Sequence, residues 1–555
     1  MSEDWFVGAD IGGTFTDIVA VSTGGELRHL KVPSSREDPA SGVIRGLETL
    51  EDEAGVACDR LRLVVHGTTL ATNAIIERRL ARMALVTTAG FRDVLEIGRH
   101  WRQELYDPFI DQPPPLVTRD LRFEVVERLA ADGEELEPLD RDDAARVVAE
   151  LHEADVEAVA VVFLHSYRDP RHEQELSELL RAANGWFVGG SAELSRELRE
   201  YERTSTTVLN VALMPLVDEY LARLERGLEE LGFRGSLFIT QSNGGALTLR
   251  AARARPVSLA LSGPVGGVVA CVELGKASAR GELIGFDMGG TSTDVSIVSG
   301  HEPRYSTELT VGGLPVRLPS VQVLSIGAGG GSIAAVDAGG ALRVGPESAG
   351  STPGPACYGH GGTEPTVTDC QLVLGRLTED VPLAGRLTLS LERARDAVEQ
   401  GVAAKLGLSV DEAAAGVIEV ANAAMERAVR VALRDRGDDP REFALVAFGG
   451  AGPLHAVELA RRLSVATVIG PPHPGTLSAL GFLEADVRLD FAASELHRSD
   501  EPDLPGVLAA VFASLEEQAL AEIVRDGQLD ETRVELERSC DIRYLGQAYE
   551  VNVPV

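Results

Sequence analysis

The stretch Asp10-Ile-Gly-Gly-Thr-Phe-Thr-Asp17 recurs, little changed, as Asp287-Met-Gly-Gly-Thr-Ser-Thr-Asp294. Each copy follows a short apolar run and precedes another, which predicts a strand, a tight Gly-Gly turn and a second strand. One such hairpin alone would be ordinary. Because an acidic strand end and a bare backbone turn occur together twice, the duplication favours a protein that grips a polyphosphate from two sides.

The residue types within the two copies suit a nucleotide and its metal ion. Glycines let backbone N–H groups approach phosphate oxygens, and threonine hydroxyls add donors. Asp10 and Asp287 would face the Mg²⁺ (or Mn²⁺) that accompanies ATP. Asp17 and Asp294 would act in catalysis, as a base or by orienting the metal, although short acids also cap turns. The predicted cofactor-binding residues of these two loops are Gly12, Gly13, Thr14, Thr16, Gly289, Gly290, Thr291 and Thr293.

The chain is strongly acidic, with 52 Lys and Arg against 86 Asp and Glu in 555 residues, a formal charge of −34. This balance argues against nucleic-acid or anionic-membrane partners, which need basic residues to neutralise phosphate. An anionic substrate would need local arginines, each of which could equally form a surface ion pair; the candidates are Arg92, Arg99, Arg199 and Arg203. Five cysteines without metal spacing, and an N-terminus without secretory features, indicate a cytoplasmic protein.

The patterns of apolar residues and glycines predict an α/β protein in three parts. Residues 1–200 would form an N-terminal domain that carries the first phosphate loop, with strands and helices alternating over 60–200 as a lateral α/β insertion. Residues 201–490 would form a second lobe with the second phosphate loop. Residues 491–555 would begin a C-terminal domain, which we expect to be truncated because the chain stops within a predicted strand.

The order of these parts resembles the actin, sugar-kinase and heat-shock-chaperone ATPase superfamily. The resemblance implies a two-lobed actin-like ATPase fold, made of duplicated ribonuclease H-like domains with ATP between them. Phe448-Gly-Gly-Ala-Gly452 is similar to the adenosine loop of that superfamily, which implies cofactor binding by Gly449, Gly450 and Gly452. The segments 262–275 and 474–481 resemble the two connecting helices that meet at the hinge.

Within that superfamily the chain resembles the hydantoinase A / 5-oxoprolinase family, which includes the β subunit of acetone carboxylase. The matching strings span most of the chain and are His66-Gly-Thr-Thr-Leu-Ala-Thr-Asn-Ala74, 87–98, 199–207, Pro353-Gly-Pro-Ala-Cys-Tyr-Gly359 and 448–455. The resemblance implies ATP-dependent activation of a cyclic amide or ketone, with a B-type subunit and homo-oligomeric assembly. It assigns His66 to catalysis, and the expected substrate residues are Thr68, Thr69, Asn73, Arg99, Arg203 and Tyr358.

Several alternatives stay open at this point. The sequence departs from the family pattern at 101–105 and 368–371, and either difference could retune the substrate pocket. A carboxylase that activates a ketone and bicarbonate with ATP is the nearest alternative. A non-enzymatic actin-like or chaperone-like ATP switch is an alternative of another class, and a sugar kinase is a weaker one. A nucleophilic Cys357 with His360 as its base is disfavoured, because no hydrolase signature surrounds it.

Overall fold

Three sheets organise the chain in the computed structural model. The residues that it describes are 3–12, 15–35, 38–100, 106–107, 109, 114–183, 185–383, 387–434, 436–526, 529, 531–547 and 549–555. Two predicted site residues, Gly13 and Thr14, and the departure at 101–105 lie outside this part of the chain.

The first sheet carries the first acidic motif on two of its inner strands. Its six strands are, in spatial order, Ala246–Thr248, Ser236–Thr240, Leu61–Gly67, Trp5–Ile11, Phe15–Ser22 and Leu27–Pro33. The last three pair antiparallel, and Leu61–Gly67 runs parallel to both of its neighbours. The helices of this first lobe are Ala40–Ala54, Leu70–Ile76, Glu200–Glu230 and Leu249–Ala254.

The sheets divide the chain differently from the boundary predicted after residue 200. Leu209 and Leu221 of the helix Glu200–Glu230 lie in the same buried core as Val7 and Leu47. The strands at 236–248 then complete the first sheet. The predicted alternation of strands and helices ends near Glu200 because the chain leaves the lateral unit there and returns to the first lobe.

The lateral α/β unit is a parallel sheet of four strands, which are, in order, Phe187–Gly190, Ala158–Val162, Met83–Thr88 and Arg122–Val125. The run Ala158–Val162 is buried at every position, as expected for a parallel strand that is covered on both faces. The unit also contains the hairpin Arg128–Leu129 with Glu135–Glu137 and the helices Val94–Ile97, Arg141–Glu153, Arg171–Ala183 and Ser191–Leu194.

The second lobe repeats the central arrangement of the first. Its main sheet runs Glu302–Pro303, Thr293–Ser299, Leu283–Met288, Ala444–Phe448 and Thr467–Ile469, with Val323–Ile326 also paired to Thr293–Ser299. Three further antiparallel strand pairs follow along the chain: Tyr305–Ser306 with Ser320–Val321, Leu309–Val311 with Leu314–Val316, and Ser332–Val336 with Leu342–Ser348. The second of these pairs packs in the core of the first lobe, through Val311 and Val316. Its helical segments are Val367–Val373, Leu391–Val398, Glu399–Ala403, Ala404–Leu406, Val410–Arg434 and Gly452–Leu463.

Two helices join the lobes, and a helix with a hairpin follows them. The connecting helices are Val265–Ser278 and Leu477–Phe482, close to the segments that the sequence predicted. The final elements are the helix Leu504–Asp526 and the hairpin Ser539–Ile542 with Val551–Pro554. Among the described residues, no helix has the length and apolarity needed to cross a bilayer.

Candidate functional site

The two acidic motifs adopt the same strand–turn–strand geometry. In the first lobe Asp10 lies opposite Asp17 across the antiparallel pair, and in the second lobe Asp287 lies opposite Asp294. We call these two pairs the acid rows. Equivalent turn bonds close both hairpins, from the Gly12 amide to the Phe15 carbonyl at 3.0 Å and from the Gly289 amide to the Ser292 carbonyl at 3.0 Å. The predicted hairpins are therefore confirmed over their described residues.

The acid rows of the two lobes are close enough to act on each other electrostatically. Burial raises the pKa of Asp10 well above its ordinary value, and the charges of Asp17 and Asp287 raise it further. Burial also raises the pKa of Asp287 to about 7, with smaller contributions from Asp294 and Asp17. Four carboxyl groups thus converge on one cleft between the lobes, where their ionised forms repel one another and a counter-charge would stabilise them.

The second loop presents backbone to this cleft. Gly290 and Thr291 are exposed, and apart from the adjoining residues no atom lies within 4 Å of the position that a Cβ at Gly290 would occupy. The carbonyls of Gly289 and Gly290 instead face a glycine-rich segment, where they accept from the amides of Gly330 (3.0 Å) and Gly331 (2.6 Å). An anchored turn with open backbone on its outer side fits the predicted phosphate loop.

The second threonine of each motif does not reach the cleft. Thr16 is fully buried, and its hydroxyl lies 3.0 Å from that of Ser34. Thr293 is also fully buried and donates its hydroxyl to the Ala328 carbonyl. Neighbouring residues of a strand point to opposite faces, so these threonines point away from the cleft that Asp17 and Asp294 face. Phosphate binding by these two hydroxyls is not supported by this arrangement.

The predicted adenosine loop lies against the second acid row. Phe448 is in register with Asp287 on the neighbouring parallel strand, and the Ala451 amide donates to the Met288 carbonyl at 2.8 Å. Gly449 has φ +79°, and a Cβ there would lie 2.2 Å from Asp287 Oδ1. Glycine is therefore required at 449. Gly450 has open space around it, and Gly452 begins the helix Gly452–Leu463.

The connecting helices cross at two glycines and reach the acid rows. A Cβ at Gly481 would lie 1.9 Å from the Gly266 carbonyl oxygen, so the two helices are in backbone contact. Ser478 on the second helix donates to Asp287 Oδ2 at 3.3 Å. The predicted meeting of these helices is confirmed. Ser478 was not identified from the sequence, because an isolated serine on a short helix gives no signal.

His66 is fully buried beneath the cleft, where a hydrogen-bonded chain occupies both of its ring nitrogens. Its Nδ1 lies 3.1 Å from the Ala9 carbonyl and its Nε2 lies 2.5 Å from the Tyr220 hydroxyl, which also bonds to Thr68. The carbonyl can only accept, so Nδ1 carries the proton and Tyr220 donates to Nε2. Burial lowers the pKa of His66 to about 4, which keeps the ring neutral. This arrangement fits a positioning role better than the predicted direct catalytic role.

This chain of bonds gives a testable expectation for Tyr220. Changing Tyr220 to Phe leaves His66 Nε2 buried without a donor, which should destabilise the protein by about 1–3 kcal/mol. The urea unfolding midpoint measures the loss, and Tyr544→Phe, at a side chain that is 81 % exposed, is the matched control. An unchanged midpoint in Tyr220→Phe would contradict the assigned tautomer and bond.

Two of the predicted substrate residues lie at the edge of the cleft beside the first connecting helix. Thr69 is half-buried and lies against Gly263, while Asn73 is exposed and donates to the Thr69 hydroxyl at 3.3 Å. Both follow the strand Leu61–Gly67, which pairs with the first acidic strand as Ala444–Phe448 pairs with the second. Thr69 and Asn73 thus occupy, in the first lobe, a place equivalent to that of the predicted adenosine loop in the second.

Thr68 is buried beside Thr69 and bonds to Tyr220, but the other three predicted substrate residues lie elsewhere. Arg99 forms a two-pronged ion pair with Glu202, with distances of 2.7 and 2.6 Å. Arg203 is buried and donates to Ser166 (3.1 Å) and to the Phe163 carbonyl (2.9 Å). Tyr358 lies in the second lobe with Thr368 as its partner. These three side chains bond to neighbours in or beside the lateral unit and in the second lobe. The structure therefore does not gather the six predicted residues into one pocket.

The other arginines and the cysteine have partners or surroundings of their own. Arg92 lies 3.7 Å from Glu124, and Arg199 pairs with Glu308 at 2.7 Å. Cys357 is fully buried, and burial raises the pKa of its thiol, whereas His360 is exposed. A thiolate nucleophile is disfavoured in such surroundings, as the sequence indicated.

The carboxylates of the cleft fit a hard divalent cation whose other ligands are waters and the phosphate oxygens of a bound nucleotide. The part of the chain that the structure describes contains no group of three or more His, Cys, Asp or Glu side chains suited to a metal ion. Asp10 and Asp287 supply carboxylate oxygens from opposite lobes. Mg²⁺ is commonly bound in this way, by one or two carboxylates together with waters and phosphate oxygens.

Two family models match this chain. The "Hydantoinase/oxoprolinase N-terminal region" matches residues 6–183, and "Hydantoinase/oxoprolinase" matches residues 203–491. The two models meet near residue 200, but the first sheet contains strands from both matched regions, so this boundary does not separate the lobes.

Similar proteins cover nearly the whole chain. An uncharacterised protein of Methanocaldococcus jannaschii is 41 % identical, over 99 % of this chain and 81 % of its own length. The crystal structure of ATP-dependent caprolactamase from Pseudomonas jessenii superposes with a TM-score of 0.89 at 36 % identity, over 99 % of this chain and 81 % of that one. Nucleotide-free acetone carboxylase superposes with a TM-score of 0.80 at 29 % identity, over 100 % and 81 %. These matches confirm the predicted two-lobed α/β fold of the actin-like ATPase type.

Proposed function

Because the chain belongs to the hydantoinase/oxoprolinase family, we propose that it is an ATP-dependent enzyme that phosphorylates the carbonyl oxygen of a cyclic amide for ring opening. The observation that carries this proposal is the pair of acid rows, Asp10 with Asp17 and Asp287 with Asp294, which face one cleft from two lobes. The similarity to a caprolactamase, whose name describes action on a lactam, supports the substrate class.

The chemistry requires activation because resonance makes an unstrained amide carbonyl a poor electrophile. The amide oxygen forms a bond to the γ-phosphorus as the bond from that phosphorus to ADP breaks. One water then adds to the carbonyl carbon, and the ring C–N bond breaks as the nitrogen takes up a proton, which leaves an acyl phosphate. A second water hydrolyses this acyl phosphate to a carboxylate and inorganic phosphate. Mg²⁺, when bound, would neutralise charge on the transferred phosphoryl group.

The residues of the chain would divide the remaining tasks. Asp10 and Asp287 would hold the metal, while the backbone at 289–291 and the loop 449–452 would bind the nucleotide. Thr69 and Asn73 would orient the substrate from the first lobe, and His66 would hold Thr68 and the strand end in place. Asp294 or Asp17 would hold a metal-bound water or accept a proton.

The assembly is proposed from the same similarity. A relative that is 36 % identical over 99 % of this chain is named as the alpha subunit of caprolactamase, which supports a B-type partner subunit. We propose that ring opening is completed in such an assembly in the cytoplasm.

A carboxylase subunit is the second candidate, favoured by the superposition on acetone carboxylase. In that case ATP would activate a ketone and bicarbonate rather than a ring amide. The two functions differ in their dependence on bicarbonate, so one experiment separates them.

The proposal is tested by measuring ADP release against hydantoins, 5-oxoproline, larger lactams and ketones, each with and without bicarbonate. We expect stimulation by one class of cyclic amide that does not depend on bicarbonate, and none by N-methylacetamide, an open-chain control. Stimulation by a ketone only with bicarbonate would establish the carboxylase instead. Bound ATP with turnover driven by polymerisation or by peptides would overturn both in favour of an ATP switch.

A further inference from the structure

A lysine extends the acid row of the first lobe onto a third strand. Lys31 is in register with Asp17 on the edge strand Leu27–Pro33, just as Asp17 is in register with Asp10. Its ammonium group forms an ion pair with the Asp17 carboxylate. The Lys31 side chain is 24 % exposed, so it is partly withdrawn from solvent beside the cleft. Three adjacent strands therefore present acid, acid and base side by side.

The second lobe lacks this cation at the equivalent place. There the third strand is Val323–Ile326, and Ser325 is the residue in register with Asp294. Ser325 donates its hydroxyl to the Asp294 carboxylate. The duplication thus preserves both acids of each row but places a charged partner in the first lobe and a neutral partner in the second.

Lys31 also contacts the second lobe directly. Its ammonium donates to the Gly475 carbonyl at 2.7 Å, in the turn that precedes the second connecting helix. The adjacent Pro474 carbonyl accepts from the Gly449 amide at 2.9 Å, in the predicted adenosine loop. One ammonium group therefore links the first acid row to the turn that supports the opposite nucleotide loop.

We propose that Lys31 is a positioning residue of the nucleotide cleft, which holds Asp17 in place and ties the two lobes together around bound nucleotide. The inference rests on the proposed ATP-dependent function. Its charge acts on both rows, since it lowers the pKa of Asp10, Asp17 and Asp287 against the effect of burial. Without it, the metal ion would have to balance four carboxylates and a polyphosphate without the ammonium group that the structure places beside them.

The test compares Lys31→Met, which removes the charge but keeps a long, unbranched side chain, with Lys31→Arg, which keeps the charge. Calorimetric titration with a non-hydrolysable ATP analogue and Mg²⁺ gives affinity, and ADP release gives kcat and KM. We expect Lys31→Met to weaken analogue binding and lower kcat about tenfold each, and Lys31→Arg to stay within about threefold of wild type. Lys276→Met is the control, because Lys276 pairs with Glu273 at the surface, 2.7 Å away.

A double variant shows whether Lys31 affects nucleotide binding through Asp17. If Lys31 acts through Asp17, Lys31→Met combined with Asp17→Asn should bind the analogue no more weakly than Lys31→Met alone. Additive losses would overturn that route, and a Lys31→Met protein that matches wild type in affinity and kcat would overturn the inference. Wild-type protein that fails to bind the analogue would overturn the proposed function as well, so the two failures are distinguishable.

Discussion

Replacing Asp287 by Asn is expected to lower substrate-stimulated ADP release by about 1000-fold or more, because a positioned charge at the transferred phosphoryl group is lost. Asp287 is opposite Asp294, accepts a hydrogen bond from Ser478 and lies against Gly449 of the predicted adenosine loop. Asn keeps the size of the side chain but cannot neutralise a divalent cation. Asp500→Asn is the matched control, since Asp500 is 69 % exposed and pairs only locally with Arg498.

The same substitution should stabilise the fold above neutral pH. Burial raises the pKa of Asp287 from 3.8 to about 7. As the pH rises through this interval the unfolded chain loses the proton first, so wild-type stability falls between about pH 4 and pH 7. Asn has no proton to lose. We therefore expect the melting temperature of Asp287→Asn to exceed that of wild type at pH 8 and to approach it at pH 4.

These two readouts distinguish a catalytic acid from a structural one. An inactive variant that melts higher than wild type at pH 8 would support the assigned role. Full activity would contradict it, and an inactive variant that melts lower at pH 8 would indicate that Asp287 instead supports the fold.

The second large effect is expected at the crossing of the connecting helices. Gly481→Ala places a methyl group 1.9 Å from the Gly266 carbonyl oxygen. The helices must then separate, which should cost about 3 kcal/mol of unfolding free energy. ADP release should also fall, because Ser478 and the turn at Gly475 move with the second helix.

Urea unfolding and ADP release measure both consequences. Gly185→Ala is the control, since no atom lies within 4 Å of its added Cβ and Gly185 is exposed. Equal unfolding midpoints for the two variants would contradict the close helix contact. A destabilised Gly481→Ala protein with full activity per folded molecule would show that the crossing matters only for the fold.

Much of the fold could be predicted because strong local patterns determine it. The duplicated acidic hairpins, the connecting helices and the parallel lateral strands all have short-range signals in glycine, acid and apolar residues. The lobe boundary could not be predicted in the same way. Whether the strands at 236–248 join the first sheet or a later one depends on pairing across more than 170 residues, which no local pattern records.

The sequence could indicate the acidic residues of the site, because residue type alone suggests their chemistry. It could not indicate which side chains point into the cleft, because that depends on how the strands are oriented and paired. Asp10 and Asp287 lie opposite Asp17 and Asp294 in two matching strand pairs, and their role in metal binding stays a prediction. Thr16 and Thr293 belong to the same motifs, yet strand alternation turns both hydroxyls inward. Lys31 lies in a strand that carries no motif, and its position beside Asp17 follows only from the pairing of the two strands.

The most direct test of the account is a crystal structure of the protein with Mg²⁺ and a non-hydrolysable ATP analogue. We predict the phosphates between the loops 10–17 and 287–294, the metal between Asp10 and Asp287, and the adenosine beside Gly449 and Gly450. Nucleotide bound elsewhere, or a cleft that stays closed to it at saturating concentration, would contradict the central claim that the two acid rows form one ATP site.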